Sequence, residues 1–174
     1  MNRGDGTFEP KPVAVSGLVG PAINAEVADL DNDGLVDLIL ASDPDNSGTP
    51  TSLDAYQSVI YRNTGSGGGR SNHWLRLRFS GISDAALIGA RVEVHAVKDG
   101  RLVSMRAVAP KQSYKSGSPL EVHVGLGRIE KVYVDMLLPG GHARRFDGLD
   151  ADRYLDLNLT TGTAAAVPMP RTGR

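Results

Sequence analysis

The sequence predicts an all-β fold, and three of its features lead to this prediction. Many short segments alternate apolar and polar residues with a period of two, which is typical of strands that bury one face. Glycine, proline, aspartate and asparagine separate these segments and favour tight turns. No segment shows the apolar spacing of a long helix. For the later part of the chain, this pattern predicts an antiparallel β-sandwich or an open barrel.

An aspartate-rich segment in the earlier part of the chain has the spacing of a calcium loop. Residues 29–37 read D-L-D-N-D-G-L-V-D, so aspartates occupy alternate positions around a glycine. In a tightly curled loop this spacing directs carboxylates to a common centre, and Gly34 permits the sharp turn. Such an oxygen-only site suits Ca²⁺, which takes about six to eight oxygen ligands. The predicted ligands are Asp29, Asp31, Asp33, Asp37 and the backbone carbonyl of Leu35.

The same spacing opens an EF-hand, but the residues that follow argue against one. The EF-hand requires a bidentate glutamate at its last loop position, where this chain has Leu40. The residues after Gly34 read L-V-D-L-I-L-A and end at a Ser-Asp-Pro turn, which predicts a buried strand. The alternative to a metal site is a solvated acidic turn held by side-chain hydrogen bonds. Asp43 and Asp45 offer a second, weaker ion site, although D-P-D-N-S-G more simply predicts a turn.

A calcium loop that leads into a strand resembles the FG-GAP/VCBS repeat, the calcium-loop blade of integrin-like β-propellers. Two flanking segments add to the resemblance: N-R-G-D-G-T-F at residues 2–8 and I-Y-R-N-T-G at residues 60–65 are typical of blade boundaries in that family. The resemblance implies one propeller-like calcium blade over residues 1–65. The segment S-G-G-G-R-S at residues 66–71 then predicts a flexible linker.

The second region, residues 72–160, carries most of the period-2 segments. Each has one apolar and one polar face, as expected for strands that cover a shared core. Lys98-Asp99-Gly100 predicts a tight hairpin turn between two of them. Small residues and prolines after Thr160 predict a flexible tail at residues 161–174. The predicted strands of this region lie at 73–79, 90–97, 102–108, 120–124, 131–136 and 154–159.

Five short motifs give this second region a resemblance to the ASPIC/UnbV domain. In its family this domain commonly follows a series of FG-GAP/VCBS repeats, as in secreted proteins similar to cartilage acidic protein. Where that family usually has a tryptophan before the proline, this chain has Leu138. The resemblance implies a non-catalytic extracellular module and supplies no catalytic residues. The motifs are N-H-W-L at 72–75, I-G-A-R-V at 88–92, S-Y-K-S at 113–116, V-G-L-G at 124–127 and L-L-P-G-G at 137–141.

Composition limits the classes of partner and compartment. The 174-residue chain is 40% hydrophobic, which allows a sizeable core, and its net charge of -1 gives no general attraction to nucleic acid or anionic membranes. It has no cysteine, which excludes disulfides and thiol chemistry, and no apolar run long enough to span a membrane. Because Ca²⁺ is abundant outside cells, we expect a secreted or cell-surface protein. Met1 is followed by polar residues rather than a signal peptide, which predicts a piece of a longer protein.

Other chemical patterns in the sequence are weaker. His95 and His123 alternate with valines on two strands, and their spacing allows a transition-metal site but fits solvated strand residues better. Ser113, His123 and Asp135 can be arranged as a hydrolytic triad, yet no nucleophile motif surrounds the serine. The glycines of Gly125-Leu126-Gly127 lack the third glycine and the following helix of a dinucleotide-binding motif.

The sequence therefore predicts a non-catalytic, calcium-binding interaction or adhesion module of the extracellular space. We expect an extracellular protein or a glycan as partner, and contact through two turns that contain Tyr114 and His142. The open edges of a single blade also allow self-association. Two alternatives remain. A carbohydrate-binding module is disfavoured by an aromatic content of 5%, and an accessory domain of a secreted enzyme by the lack of a convincing catalytic pair.

Overall fold

The computed structural model describes residues 3, 5–10, 22–42, 57–66, 68–110, 117 and 119–169. Within these ranges the chain forms eleven strands, the short helix α1 (Asp84–Leu87) and a 3-10 helix (Gly69–Ser71), which confirms the prediction of an all-β fold. The strands are β1 (Ala22–Ala28), β2 (Asp37–Ser42), β3 (Gln57–Tyr61), β4 (His73–Ser80), β5 (Arg91–Ala96), β6 (Leu102–Ala107), β7 (Val122–Gly127), β8 (Lys131–Leu137), β9 (Ala143–Asp150), β10 (Arg153–Asn158) and β11 (Thr163–Ala166).

The first three strands form an antiparallel sheet in the order β1-β2-β3. Strand β2 is the strand that the apolar run after Gly34 predicts, and it pairs with both neighbours. Leu40 of β2 is buried, whereas Val27 of β1 and Ile60 of β3 are 56% and 59% exposed. The aspartate-rich segment is the connection between β1 and β2, so two hydrogen-bonded strands hold its ends together.

The other eight strands form two open four-stranded sheets, β11-β10-β4-β7 and β6-β5-β8-β9. These described strands build a sandwich rather than a closed barrel. We expected an antiparallel sandwich or open barrel, and within the sandwich β4 and β10 run parallel, with Leu75 opposite Arg153. The cause is a crossover: β9 ends at Asp150 in one sheet, and the chain turns through Asp152 to begin β10 in the other sheet, beside β4.

Apolar side chains from both four-stranded sheets share one core. Burial alternates along β5 and β8, where every second residue faces inward, so the sequence pattern predicts the buried face of these strands correctly. Each fully buried aliphatic side chain contributes about 1.5–3 kcal/mol relative to an exposed one. The largest fully buried side chains are Leu75, Leu77, Leu87, Val92, Val94, Val108, Val124, Val132, Val134, Met136 and Leu157.

Strands β9 and β11 are not predicted by the alternation of apolar residues. In β9 only Phe146 and Leu149 are buried, and they lie three residues apart because the register against β8 shifts between Val132 and Val134. Such an irregularity breaks the period of two. Strand β11 falls in the tail that we expected to be flexible from residue 161, and its side chains are all exposed. It is held by backbone pairing with β10 rather than by burial.

The outer face of the β6-β5-β8-β9 sheet carries a chain of ring and ion contacts. His95 stacks on Tyr133 with ring centroids 4.8 Å apart. The guanidinium of Arg145 also lies over the Tyr133 ring, 4.4 Å from its centroid. Arg145 also donates two hydrogen bonds of 2.7 Å to the two carboxylate oxygens of Asp135. These bonds hold the pKa of Asp135 below its ordinary value of 3.8.

This ion pair predicts a contribution to acid sensitivity. Because the Asp135 pKa is lowered in the folded state, the pair stabilises the fold above the unfolded pKa of about 3.9 and loses this effect as the pH falls further. In urea unfolding between about pH 5 and pH 2, Asp135→Asn should lose less stability than the wild type. Arg145→Gln should also reduce the loss of unfolding free energy between about pH 5 and pH 2, because it removes the other half of the pair. A loss as large as that of the wild type in both variants would contradict this assignment.

Candidate metal centre

The loop between β1 and β2 is shaped by hydrogen bonds from its backbone to its aspartates. The N–H groups of Asp33 and Gly34 donate to the two carboxylate oxygens of Asp29, each at 3.0 Å. The N–H of Leu35 donates to Oδ1 of Asp33 at 2.9 Å. Asn32 and Gly34 have φ angles of 57° and 89°, in the left-handed region that asparagine and glycine tolerate best. The D-x-D-N-D-G spacing therefore produces the tight curl that it predicts.

Three of the predicted ligands converge inside this curl. Asp29, Asp31 and Asp33 each offer a carboxylate oxygen, and these oxygens lie within 4.8 Å of one another. Asp29 is only 8% exposed. Oδ2 of Asp31 is paired with Nη2 of Arg62, whereas Oδ1 of Asp31 is buried and has no hydrogen-bond partner within the described ranges. A buried carboxylate oxygen without a donor is costly unless a cation occupies its free side, so this donor set fits a hard cation such as Ca²⁺.

The other two predicted ligands have different positions. Asp37 is 3% exposed, and its oxygens accept hydrogen bonds from the N–H groups of Leu30 at 3.3 Å and Asn63 at 2.8 Å. Asp37 does not belong to the group of converging oxygens within the described chain. Leu35 provides the N–H that fixes Asp33. The structure therefore brings together three of the four predicted carboxylates and places the fourth at the base of the loop, where it ties β1 and β3 to β2.

Two residues that contact the loop from outside it were not anticipated from the sequence. Arg62 forms the ion pair with Asp31, and Asn63 donates from its backbone to Asp37 and from its side chain to the Val36 carbonyl at 3.2 Å. Both residues follow β3 directly. Their signal in the sequence is the R-N of the I-Y-R-N-T-G segment, which a β1-β2-β3 sheet brings beside the loop. Arg62 lowers the net negative charge of the centre.

Burial raises the pKa of Asp29 above its ordinary value of 3.8, although the N–H groups of Gly34 and Asp33 and the nearby His123 act in the opposite direction. Burial likewise lowers the pKa of His123 below 6.5, while the Asp29 charge opposes this shift. Desolvation dominates at both residues. A cation bound beside Asp29 would favour its charged form and so oppose this effect of burial.

The loop rests on the sandwich through three side chains of β4 and β7. Nε2 of His123 lies 3.2 Å from the carbonyl oxygen of Gly34, and Nη1 of Arg76 donates to Oδ1 of Asn32 at 3.3 Å. Trp74 lies against Gly34 and stacks with His123 at a centroid distance of 5.6 Å. We predicted a linker at residues 66–71. The described part of this segment includes the 3-10 helix. The contacts of Trp74, Arg76 and His123 connect the aspartate loop to the second region directly.

The other candidate residues that the structure describes are not gathered into a site. His95 lies on β5 and His123 on β7, so the two histidines belong to different sheets. Asp135 is engaged by Arg145 in a sheet that does not contain His123. His142 is exposed in the turn between β8 and β9, where its carbonyl accepts from the Leu138 N–H at 2.8 Å. The remaining candidates lie outside the described residues: Asp43, Asp45, Ser113 and Tyr114.

Residues 81–164 match the model of the family described as ASPIC and UnbV. This part of the chain is similar to an ASPIC and UnbV domain. The match begins just before α1 and ends within β11, so it covers β5 to β10. Strand β4, which carries the N-H-W-L motif, lies outside the matched residues but pairs with β10 and β7. Leu138, at the position where the family usually has tryptophan, packs partly buried against the core.

The aspartate loop lies before the residues that match this family. No curated protein matches the chain. In the part of the chain that the structure describes, no helix has the length and apolar character needed to cross a membrane.

Proposed function

We propose that the chain is a non-catalytic, Ca²⁺-binding interaction module of the extracellular space. The observation that carries this proposal is the convergence of three aspartates, one of which, Asp31, has a buried Oδ1 without a hydrogen-bond partner among the described residues. Asp29, Asp31 and Asp33 would hold the ion. Bound Ca²⁺ supplies positive charge and oxygen coordination that fix the loop; the chain's own part is to preorganise the carboxylates through the backbone bonds to Asp29 and Asp33.

The composition of the ligand set favours Ca²⁺ over other metals. Every converging group is a carboxylate, and hard oxygen donors prefer Ca²⁺ or Mg²⁺ to softer transition metals. The centre holds three negative charges, which the Arg62 guanidinium reduces by one, so a divalent cation would bring it close to neutrality. The flexible geometry of Ca²⁺ coordination also tolerates a loop that leaves part of the shell to water and backbone oxygens.

The resemblance of this loop to an FG-GAP/VCBS repeat supports the rest of the proposal. The order of elements is that of the repeat: the aspartate loop, then β2, then the R-N-T-G segment at 62–65. The residues that match the ASPIC and UnbV family follow. We infer a calcium blade at residues 1–65 joined to this domain, as in secreted proteins similar to cartilage acidic protein. The exposed Val27 and Ile60 support contacts between the blade and a neighbouring blade or a second copy of the chain.

Calcium should stabilise the folded protein measurably. An ion that binds only the folded state stabilises it by about 2.7 kcal/mol at a hundredfold excess over its dissociation constant. Adding Ca²⁺ to chelator-treated protein should therefore raise the thermal midpoint, and calorimetric titration should show one binding event. Asp31→Asn should abolish both effects, because it removes the charge of the carboxylate whose Oδ1 is unpartnered.

Asp147→Asn is the matched control for this experiment. It also removes one carboxylate, but Asp147 is exposed on β9, far from the aspartate loop in the sequence. This variant should respond to Ca²⁺ like the wild type. Equal Ca²⁺ stabilisation of Asp31→Asn and the wild type would exclude the loop as the calcium site. A response to Mg²⁺ at equal concentration would identify a less selective cation site.

A further inference from the structure

An open cleft of about 530 Å³ lies between the aspartate loop and the start of β4. Asn32, Asp33 and Leu35 of the loop form one part of its wall, and residues 70–74 form another. Arg128, from the turn after β7, completes the lining together with residues 152 and 169. This volume lies within the range of roughly 300–1,000 Å³ that is typical of small-molecule sites. Most of the lining side chains are polar or charged.

Two guanidinium groups in this cleft have no acidic partner in the described part of the chain. Arg70 donates from Nε to the Thr64 carbonyl at 2.9 Å, and Arg128 donates from Nη1 to the Ser71 carbonyl at 3.1 Å. Among the described residues, neither guanidinium forms an ion pair with a carboxylate. Each bond to a carbonyl fixes the position of the side chain and leaves other N–H donors for a ligand. A pair of such groups suits an anion with two oxygens, above all a carboxylate.

Two carboxylates of the cleft, those of Asp152 and Asp33, are already oriented. Oδ2 of Asp152 lies 2.7 Å from Nδ1 of His73, and its Oδ1 accepts from the Trp74 N–H at 3.2 Å. Asp33 is oriented in the same way by the Leu35 N–H. Oriented carboxylates accept hydrogen bonds from hydroxyl groups, and the partly exposed indole of Trp74 adds an apolar surface of the size of a sugar ring.

We propose that this cleft binds a sugar acid, with its carboxylate on Arg70 and Arg128 and its hydroxyls on Asp33 and Asp152. A purely apolar ligand would leave the remaining N–H donors of the two arginines unused, and a simple carboxylate would leave the oriented acceptors unused. The inference deepens the proposed function and rests on it, since it names the class of partner that the module meets. Calcium at the loop would fix the wall that contains Asp33.

The test is a calorimetric titration of the Ca²⁺-loaded protein with glucuronate. Glucuronate should bind with an affinity in the millimolar range, and glucose and acetate should each bind at least about tenfold more weakly, because each lacks one half of the recognised groups. Arg128→Gln and Arg70→Gln should each weaken glucuronate binding by about tenfold. Arg101→Gln, which removes an exposed guanidinium from the turn between β5 and β6, should leave glucuronate binding unchanged.

Three outcomes would overturn the inference: no binding of glucuronate, equal binding of glucuronate and acetate, or equal affinities in the Arg128, Arg70 and Arg101 variants. Preferential binding of a peptide that ends in a free carboxylate would overturn it in favour of a protein partner. Thermal midpoints of the variants establish that each one is folded. Calcium binding is measured separately without sugar, so a protein that binds Ca²⁺ but not glucuronate contradicts the cleft assignment and leaves the proposed calcium site intact.

Discussion

Replacing Gly34 with alanine should destabilise the protein by about 2–5 kcal/mol. Gly34 has a φ of 89°, which costs a residue with a Cβ about 1–2 kcal/mol. An added Cβ would also lie 2.0 Å from Nε1 of Trp74, so the indole or the loop must move. This displacement adds about 1–3 kcal/mol of overpacking. Chemical unfolding of the wild type and the variant measures the sum.

Gly68→Ala separates the two causes. Gly68 has the same φ of 89°, but no atom of the described residues lies within 4 Å of the position of an added Cβ. Its substitution should therefore cost only the backbone part, about 1–2 kcal/mol. Gly34→Ala should also weaken Ca²⁺ binding, since the Gly34 N–H holds Asp29 in place, whereas Gly68→Ala should not. Equal losses of stability in the two variants would mean that Trp74 does not restrain the loop.

Leu77→Ala should cost about 2–5 kcal/mol, because Leu77 is fully buried between the two four-stranded sheets. Leu77 lies in β4, opposite Val122 of β7 and Leu155 of β10. Truncating its side chain therefore leaves a cavity at the centre of the mixed sheet. Unfolding in urea should show a lower midpoint with an unchanged slope.

Leu102→Ala is the matched control, since Leu102 lies on the edge strand β6 and is 47% exposed. It should change the free energy of unfolding by no more than about 1 kcal/mol, as the transfer of a half-exposed side chain implies. A cost for Leu77→Ala as small as that of Leu102→Ala would mean that the two sheets do not share the core described above.

The parts of the fold that the sequence predicts are those set by local pattern. Strands such as β5 and β8 alternate strictly because one face covers the core and the other meets solvent. Strand β9 was not predicted because a register shift breaks its period of two. Strand β11 was not predicted because its residues are all exposed and show no alternation of apolar and polar side chains. The parallel pairing of β4 with β10 depends on which sheet the chain enters after Asp150, and no local signal specifies that choice.

The candidate site likewise has residues that local sequence predicts and residues that only the fold brings together. Asp29, Asp31 and Asp33 could be predicted because one short loop supplies all three, and its spacing alone sets their direction. Arg62 and Asn63 reach the loop only through the pairing of β2 with β3, so their role depends on the fold. The same reason explains why the cleft residues, which come from distant parts of the sequence, were not grouped beforehand.

The parallel pair β4 and β10 has a consequence for the order of folding. Strand β4 is flanked by β10 and β7, and both partners come later in the chain; Arg78 and Asp156 of β4 and β10 are 78 residues apart. Pairings between such distant segments form slowly, because the long intervening chain must first be brought together. Until β10 has been synthesised, Leu75 and Leu77 lack one of the strands that cover them. Nascent chains that stop before residue 153 should thus carry an uncovered apolar strand, the kind of segment that chaperones bind.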